Sequence, residues 1–266
     1  VGFPVYSCAA LRNAAGMLGS KKVFLDCAKE NPNIDYKEAE KKGIDILIAP
    51  SMYGIPVELP TKCDYQIIED LAQSMGAKAN DERIGLRGEI GICSFYATKM
   101  MTSGGQGGAV ISRHKKYIDN IRDYREFDCR EDSQLRFNFQ MTDLQAAIGR
   151  VQLKKLPYFI EQREKWFNIY KEYKLNLIVP KNKNFCPVRY RIVHKCKNPN
   201  EIIKSLNNNN IKAIIPIEEK ELLDKSKEYL FALELTRSTV SLPAHLALNE
   251  NQVRKIAEIV SNISQN

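Results

Sequence analysis

The sequence predicts an α/β fold in which a sheet-and-helix region is followed by a smaller α+β region. Three observations carry this expectation. Short apolar runs at Lys22–Asp26, Ile46–Ala49, Gln66–Ile68, Gly91–Phe95 and Ala109–Ile111 alternate with helical or loop stretches. The segment Thr142–Leu156 repeats Leu144, Ala147, Ile148 and Val151 at helical spacing. From about Leu177 the pattern changes to shorter strand and helix candidates.

In chain order, the first strand leads into Pro4, and Lys22–Asp26 forms the next. Tyr36–Lys42 mixes lysine and glutamate as a solvated helix does. Between Ile46–Ala49 and the strand ending at Asp70 stand Pro56 and Pro60, which argue against a helix and predict a stretched loop. That link is still long enough to join parallel strands. Asp70 precedes Leu71-Ala-Gln-Ser-Met as a helix N-cap would, with Gln73 at helical spacing. Gly91–Phe95 passes through Ser94 to Lys99 and a glycine-dense return, Gly104 to Gly108. The helix from Thr142 is expected to stop near Pro157, with a second amphipathic stretch running to about Tyr173. Beyond it come strands at Val188–Val193, Ile211–Ile215 and Ser238–Leu242, a helix after Pro199, and a last helix opened by Asn249 with Gln252 in capping-box spacing. The expected organisation is a large domain over 1–156, a linking helix over 157–176 and a small α+β domain over 177–266.

The 266 residues are 44% hydrophobic, enough for one substantial core plus a smaller lobe. Seven cysteines without a C-x-x-C pair suit a reducing cytoplasm rather than a disulfide framework. No apolar run has membrane-spanning length, and no charged-then-apolar leader opens the chain. The formal charge of +8 is spread among acids on helices, with no aromatic and basic residues clustered along one face, so nucleic acid is not an expected partner. His114, His194 and His245 are far apart in sequence and suggest no metal site.

One carboxylate (Asp70), one amide (Gln73), one hydroxyl (Ser94) and one amine (Lys99) converge at strand ends. Taken singly each has an ordinary explanation: a helix cap, a turn, a solvated lysine. Jointly they are what pyridoxal phosphate requires, since that cofactor does the electronic work while side chains hold its ring, phosphate and aldehyde. A partly desolvated lysine amine can attack an aldehyde, and an aspartate beside the ring nitrogen keeps the ring an electron sink.

The segments Phe3-Pro-Val-Tyr6, Gly19–Asp26, Tyr53-Gly-Ile-Pro56, Ile68–Ala77, Cys93–Lys99 and Asn138–Leu153 together resemble the DegT/DnrJ/EryC1/StrS family of sugar aminotransferases, which are fold type I pyridoxal phosphate enzymes. The resemblance implies a mostly parallel seven-stranded-type sheet with a smaller C-terminal domain. It implies Lys99 as the Schiff-base lysine, Asp70 at the pyridine nitrogen, Gln73 near the phenolic oxygen and Ser94 on the phosphate. It also implies that Asn138 reaches the phosphate of the neighbouring subunit's cofactor, which makes a homodimer part of the active site. The implied reaction moves an amino group, from glutamate, to a keto sugar linked to a nucleotide, in cell-surface polysaccharide or secondary-metabolite biosynthesis. Cys8 stands where relatives often carry an aromatic residue, and Gln140 where many carry an arginine. The chain opens with Val1 at the first strand, where relatives begin with a helix and a phosphate-cupping turn, so a shortened or fragmentary sequence is expected. The alternative reading is a non-catalytic, shortened member serving as a dimerisation or scaffold module.

Overall fold

The computed structural model describes residues 1–264. Strands β1 (Gly2–Pro4), β2 (Val23–Leu25), β3 (Ile46–Pro50) and β4 (Gln66–Asp70) alternate with helices α1 (Ala9–Met17) and α2 (Tyr36–Lys41). A small hairpin, β5 (Lys78–Ala79) and β6 (Glu82–Arg83), precedes β7 (Ile90–Ser94) and β8 (Gly108–Ile111), after which come α3 (Lys115–Arg125) and α4 (Asp143–Glu172). The C-terminal part holds β9 (Phe185–Cys186), β10 (Ile192–Lys195), α5 (Pro199–Asn208), α6 (Leu230–Ser238), β11 (Thr239–Leu242) and α7 (Glu250–Ser264).

The central sheet runs β2-β1-β3-β4-β7-β8. All its pairings are parallel except β7 with β8. Six strands stand where seven were expected, among the described residues. One face packs Phe3, Tyr6 and Ile48 against Leu222, Tyr229 and Leu233, while the other buries Leu25, Leu47, Ala49 and Ile67. Near-continuous apolar runs such as Ile46–Ala49 are what a strand covered on both sides requires. The link from β3 to β4 carries no α-helix, only a short turn at Met52–Gly54 and an extended stretch through Pro56 and Pro60, as the prolines predict.

Four expectations are corrected. The helix expected to stop near Pro157, with a separate linking helix over 157–176, is a single helix from Asp143 to Glu172 with Pro157 inside it. An interior proline costs about 3 kcal/mol, but Leu156 and Phe159 beside it are buried, and packing of this kind recovers 1.5–3 kcal/mol for roughly each such side chain. The segment after Asp70 is a hydrogen-bonded turn rather than a helix, with Ser74 N donating to Leu71 O and Ala77 N to Ser74 O. Val188–Arg191 is not strand, because Arg189 takes a positive φ of 50°, so β10 begins only at Ile192. Ile211–Ile215 makes a single bridge, Ile214 to Ser241, before Pro216, which has no N–H to continue a ladder.

The last helix forms as its sequence predicts. Asn249 Oδ1 accepts from Gln252 N, and Gln252 Oε1 accepts from Asn249 N. Its Val253, Ile256, Ala257 and Val260 form one apolar stripe buried against Trp166, Tyr170, Ile202 and Leu206. No described helix is long and apolar enough to cross a membrane.

Candidate active site

β4 and β7 lie side by side in parallel, with Asp70 in register with Ile92, so their C-terminal ends open at the same edge of the sheet. Open α/β sheets place ligands at this edge. β4 delivers Asp70 there as its last residue, and β7 delivers Ser94. The chain then turns through Lys99 and returns along β8.

Backbone bonds fix that turn. Phe95 N donates to Gly107 O at 2.8 Å, Ala97 N to Gly105 O at 3.1 Å, Lys99 N to Tyr96 O at 3.0 Å and Ser103 N to Phe95 O at 3.0 Å. Gly105 and Gly107 have φ values of 121° and 147°, a region that L side chains avoid, which is why the return is glycine-dense. The turn is braced from behind by α4, where a Cβ at Gly149 would lie 2.6 Å from Ser103 Oγ. Lys99 itself is half-buried, with Nζ 5.6 Å from the centre of the Tyr190 ring.

Asp70 lies in a low-dielectric environment, and burial pushes its carboxyl above the ordinary range. A hydrogen bond from Ala72 N to Oδ1 at 2.8 Å and the positive charge of Lys99 pull it partly back. Beside it on β7, the Cys93 thiol is pushed up to about 11 by burial and by the negative charge of Asp70. Cys93 is therefore a protonated packing group at neutral pH.

Gln73 is held by a backbone clamp that was not legible in the sequence. Its Oε1 accepts from Tyr53 N at 2.7 Å, which leaves the amide NH₂ as the end available to an acceptor. Tyr53 adopts φ 61°, uncommon for a bulky residue, and its carbonyl accepts from Arg191 N. Its hydroxyl meets Tyr6 OH at 2.5 Å in the core. Next to it Gly54 allows close docking, since a Cβ there would lie 2.9 Å from Tyr190 N. The clamp thus couples the turn after β3, the Gln73 amide and the segment that carries Tyr190 and Arg191. The paired Tyr53-Gly54 was a visible signal, and its geometry was not.

Asp70, Gln73, Ser94 and Lys99 gather along this edge. Asn138 does not join them within this chain. It is exposed on the loop between α3 and α4, where Phe137 and Phe139 stack and Arg136 pairs with Asp123 and Asp132. Cys8 and Gln140 are also exposed. Arg189 is engaged elsewhere, paired with Glu164 and lying over the Phe167 ring, and Arg237 is paired with Glu219.

A half-buried carboxylate ending β4, an amide just after it and an amine in the turn after the neighbouring parallel strand define an α/β enzyme-like site. The model of the DegT/DnrJ/EryC1/StrS aminotransferase family matches residues 2–261, and the chain belongs to that family. It is 33% identical over 188 residues to a Campylobacter jejuni UDP-4-amino-4,6-dideoxy-N-acetyl-β-L-altrosamine transaminase, a match over 63% of this chain and 50% of that one. The chain thus spans about half the length of that relative. To GDP-perosamine synthase of Escherichia coli O157:H7 it is 25% identical over 282 residues, covering 97% of this chain and 77% of the relative. A Streptococcus pneumoniae protein assigned as a sugar aminotransferase superposes with TM-scores of 0.88 in its PMP-form and 0.82 in its PLP-form. Identity to those two structures is 17% and 18%, with 99% of this chain and 81% and 80% of theirs covered, a likeness that establishes the fold.

Proposed function

We propose that the chain is a pyridoxal phosphate-dependent aminotransferase that moves an amino group from an amino-acid donor, glutamate, to a keto sugar linked to a nucleotide. The observation that carries this reading is that Asp70 ends β4 while Lys99, in the turn that follows the adjacent parallel strand β7, lies close enough for its charge to act on that carboxyl. A half-buried carboxylate with its charge only partly compensated fits a protonated ring nitrogen, which would supply the missing positive partner. The half-buried amine next to it fits an aldehyde. The residues present therefore suit the cofactor.

When bound, pyridoxal phosphate supplies an electron sink for the carbanion left when the donor loses its α-proton. The chain's own groups do the rest. Lys99 Nζ would hold the cofactor's aldehyde carbon and, when free, take up and return the α-proton. Asp70 would keep the ring nitrogen protonated, Gln73 would donate its NH₂ to the ring oxygen, and Ser94 would hold the phosphate. Family membership and the activities of the Campylobacter and Escherichia relatives support the sugar-nucleotide substrate and a place in polysaccharide biosynthesis.

A homodimer follows from the same reading. Asn138 would act on a second copy's phosphate, and exposed Leu135, Phe139, Leu144 and Val151 on the same loop and on α4 offer apolar surface for that copy. Seven unpaired cysteines support a reducing, cytoplasmic location.

The test is to mix the purified chain with pyridoxal phosphate, record visible absorption, reduce with borohydride and locate the added mass. The expected result is a visible band and a mass increment on Lys99, both lost in Lys99→Ala. A folded wild-type chain that shows neither would favour a scaffold role instead.

A further inference from the structure

Carboxylates hold several lysines of this chain, as Glu38 holds Lys42, Asp119 holds Lys115 and Glu250 holds Lys165. Lys99 differs. Its Nζ forms no ion pair among the described residues, and it acts on Asp70 from beyond ion-pair distance. The contact it does make is with the Tyr190 ring, whose centre lies 5.6 Å away. A ring face attracts an ammonium over about this range through its quadrupole. It also takes up no hydrogen bond of the conventional kind, so the three N–H donors stay available, which a carboxylate partner would not allow.

Tyr190 lies outside regular structure, yet its backbone is pinned from two directions. From α4, Arg163 Nη1 donates to the carbonyls of Arg189 and Tyr190 at 3.3 and 3.0 Å. From the turn after β3, Gly54 O accepts from Val188 N at 3.1 Å and Tyr53 O accepts from Arg191 N at 3.2 Å. Between those two bonds Arg189 sits at φ 50°, a conformation that persists only where neighbours over-determine it. Glu164 and the Phe167 ring hold its guanidinium and supply that determination. The Tyr190 ring then packs against the cluster of Leu71, Met100 and Val188. The guanidinium of Arg191 lies 5.8 Å from the same ring, but its Nη1 is tied to Ser241 Oγ. Lys99 is the cation at this ring whose charged end is otherwise untethered.

We propose that Tyr190 is a positioning residue for Lys99, its ring holding the free ammonium at the site and within the field of Asp70 while leaving the N–H groups unengaged. The value of this hold to transamination rests on the aminotransferase reading, in which the amine must stay close whenever it is free, but the contact itself does not need the cofactor. The test treats the whole cofactor-free chain with brief pulses of acetic anhydride, which acylates only uncharged amines. Mass spectrometry follows Lys99, with the exposed Lys116 as internal reference. Tyr190→Leu should raise Lys99 acetylation at neutral pH by about two- to five-fold, the factor that an exposed cation–π contact carries. Tyr190→Phe keeps the ring and should label as wild type does. The gain should vanish in strongly alkaline solution, where no ammonium remains, whereas mere loosening of the segment would raise labelling there too. In the unsubstituted chain, ring current should move the Lys99 ε-methylene proton resonances upfield of those of Lys116. Unchanged labelling in Tyr190→Leu, an equal gain in Tyr190→Phe, a gain that persists in alkali, or an unshifted ε-methylene would each overturn the proposal. None of these readouts uses pyridoxal phosphate, so their failure is distinct from a failure of the chain to take up the cofactor.

Discussion

Glu69 and Asp70 are consecutive carboxylates on β4, and strand alternation sends them to opposite faces of the sheet. Glu69 is 1% exposed, on the face that buries Ile67. Arg87 reaches it with Nε and Nη2 at 2.9 and 2.6 Å, and the N–H groups of Gly85, Arg87 and Gly88 donate to its Oε1. The same guanidinium also donates to Val57 O, closing the space between the β3–β4 loop and the sheet. Asp70 accepts one backbone N–H and feels Lys99 across the site. A buried carboxylate with every lone pair met is part of the framework. One left under-compensated at a strand end is poised for a positively charged visitor.

The sharpest break of this comparison is Lys99→Ala, expected to lower transaminase turnover by about 10²–10⁴-fold or more while leaving the fold intact, read by steady-state kinetics and circular dichroism. Glu69→Ala should do the reverse. It strands Arg87 and removes a buried pair, at a cost of about 3–5 kcal/mol in urea unfolding. A Glu69 variant as stable as wild type would mean that the pair contributes nothing to the framework.

Asp70→Asn sharpens the contrast, because Asn can still accept the Ala72 N–H but carries no charge. Turnover should fall by about 10²-fold, and the cofactor-free protein should not lose stability. The pH dependence has a defined sign. A carboxyl raised in the folded state favours folding most below its unfolded value, and that contribution is lost as pH rises from the ordinary 3.8 through the raised value. The variant's stability relative to wild type should therefore climb over that window and then level off, as thermal melts at stepped pH would register. The smallest effect is expected far from both carboxylates, where Asn249→Ala removes the α7 cap and should cost about 1 kcal/mol in urea unfolding without changing turnover.

Much of the site was legible because its parts sit in short, continuous segments. Asp70 closes an apolar run, Ser94 and Lys99 follow another, and Gly104 to Gly108 announce a backbone that only glycine tolerates. The capping residues of α7 were visible for the same reason. The helices α1, α3 and α6 were not singled out: α3 buries no residue and α1 only Leu11 and Ala15, so neither carries a long apolar stripe, and α6 is a nine-residue helix whose Ala232, Leu233 and Leu235 are buried only once the chain packs. Pro157 misled because local propensity disfavours it, while the buried neighbours Leu156 and Phe159 pack the helix that continues through it.

The amino-acid sequence by itself determined which strands end in chemically useful groups, because strand period, turn chemistry and glycine conformations act over a few residues. Only the tertiary structure decided which carboxylate is engaged by Arg87 and which is left for a ligand, and how Tyr53 clamps Gln73 to the Arg191 segment. Those outcomes depend on burial and on charges brought close from distant parts of the chain, and the dielectric and partners around a side chain exist only once the chain has packed.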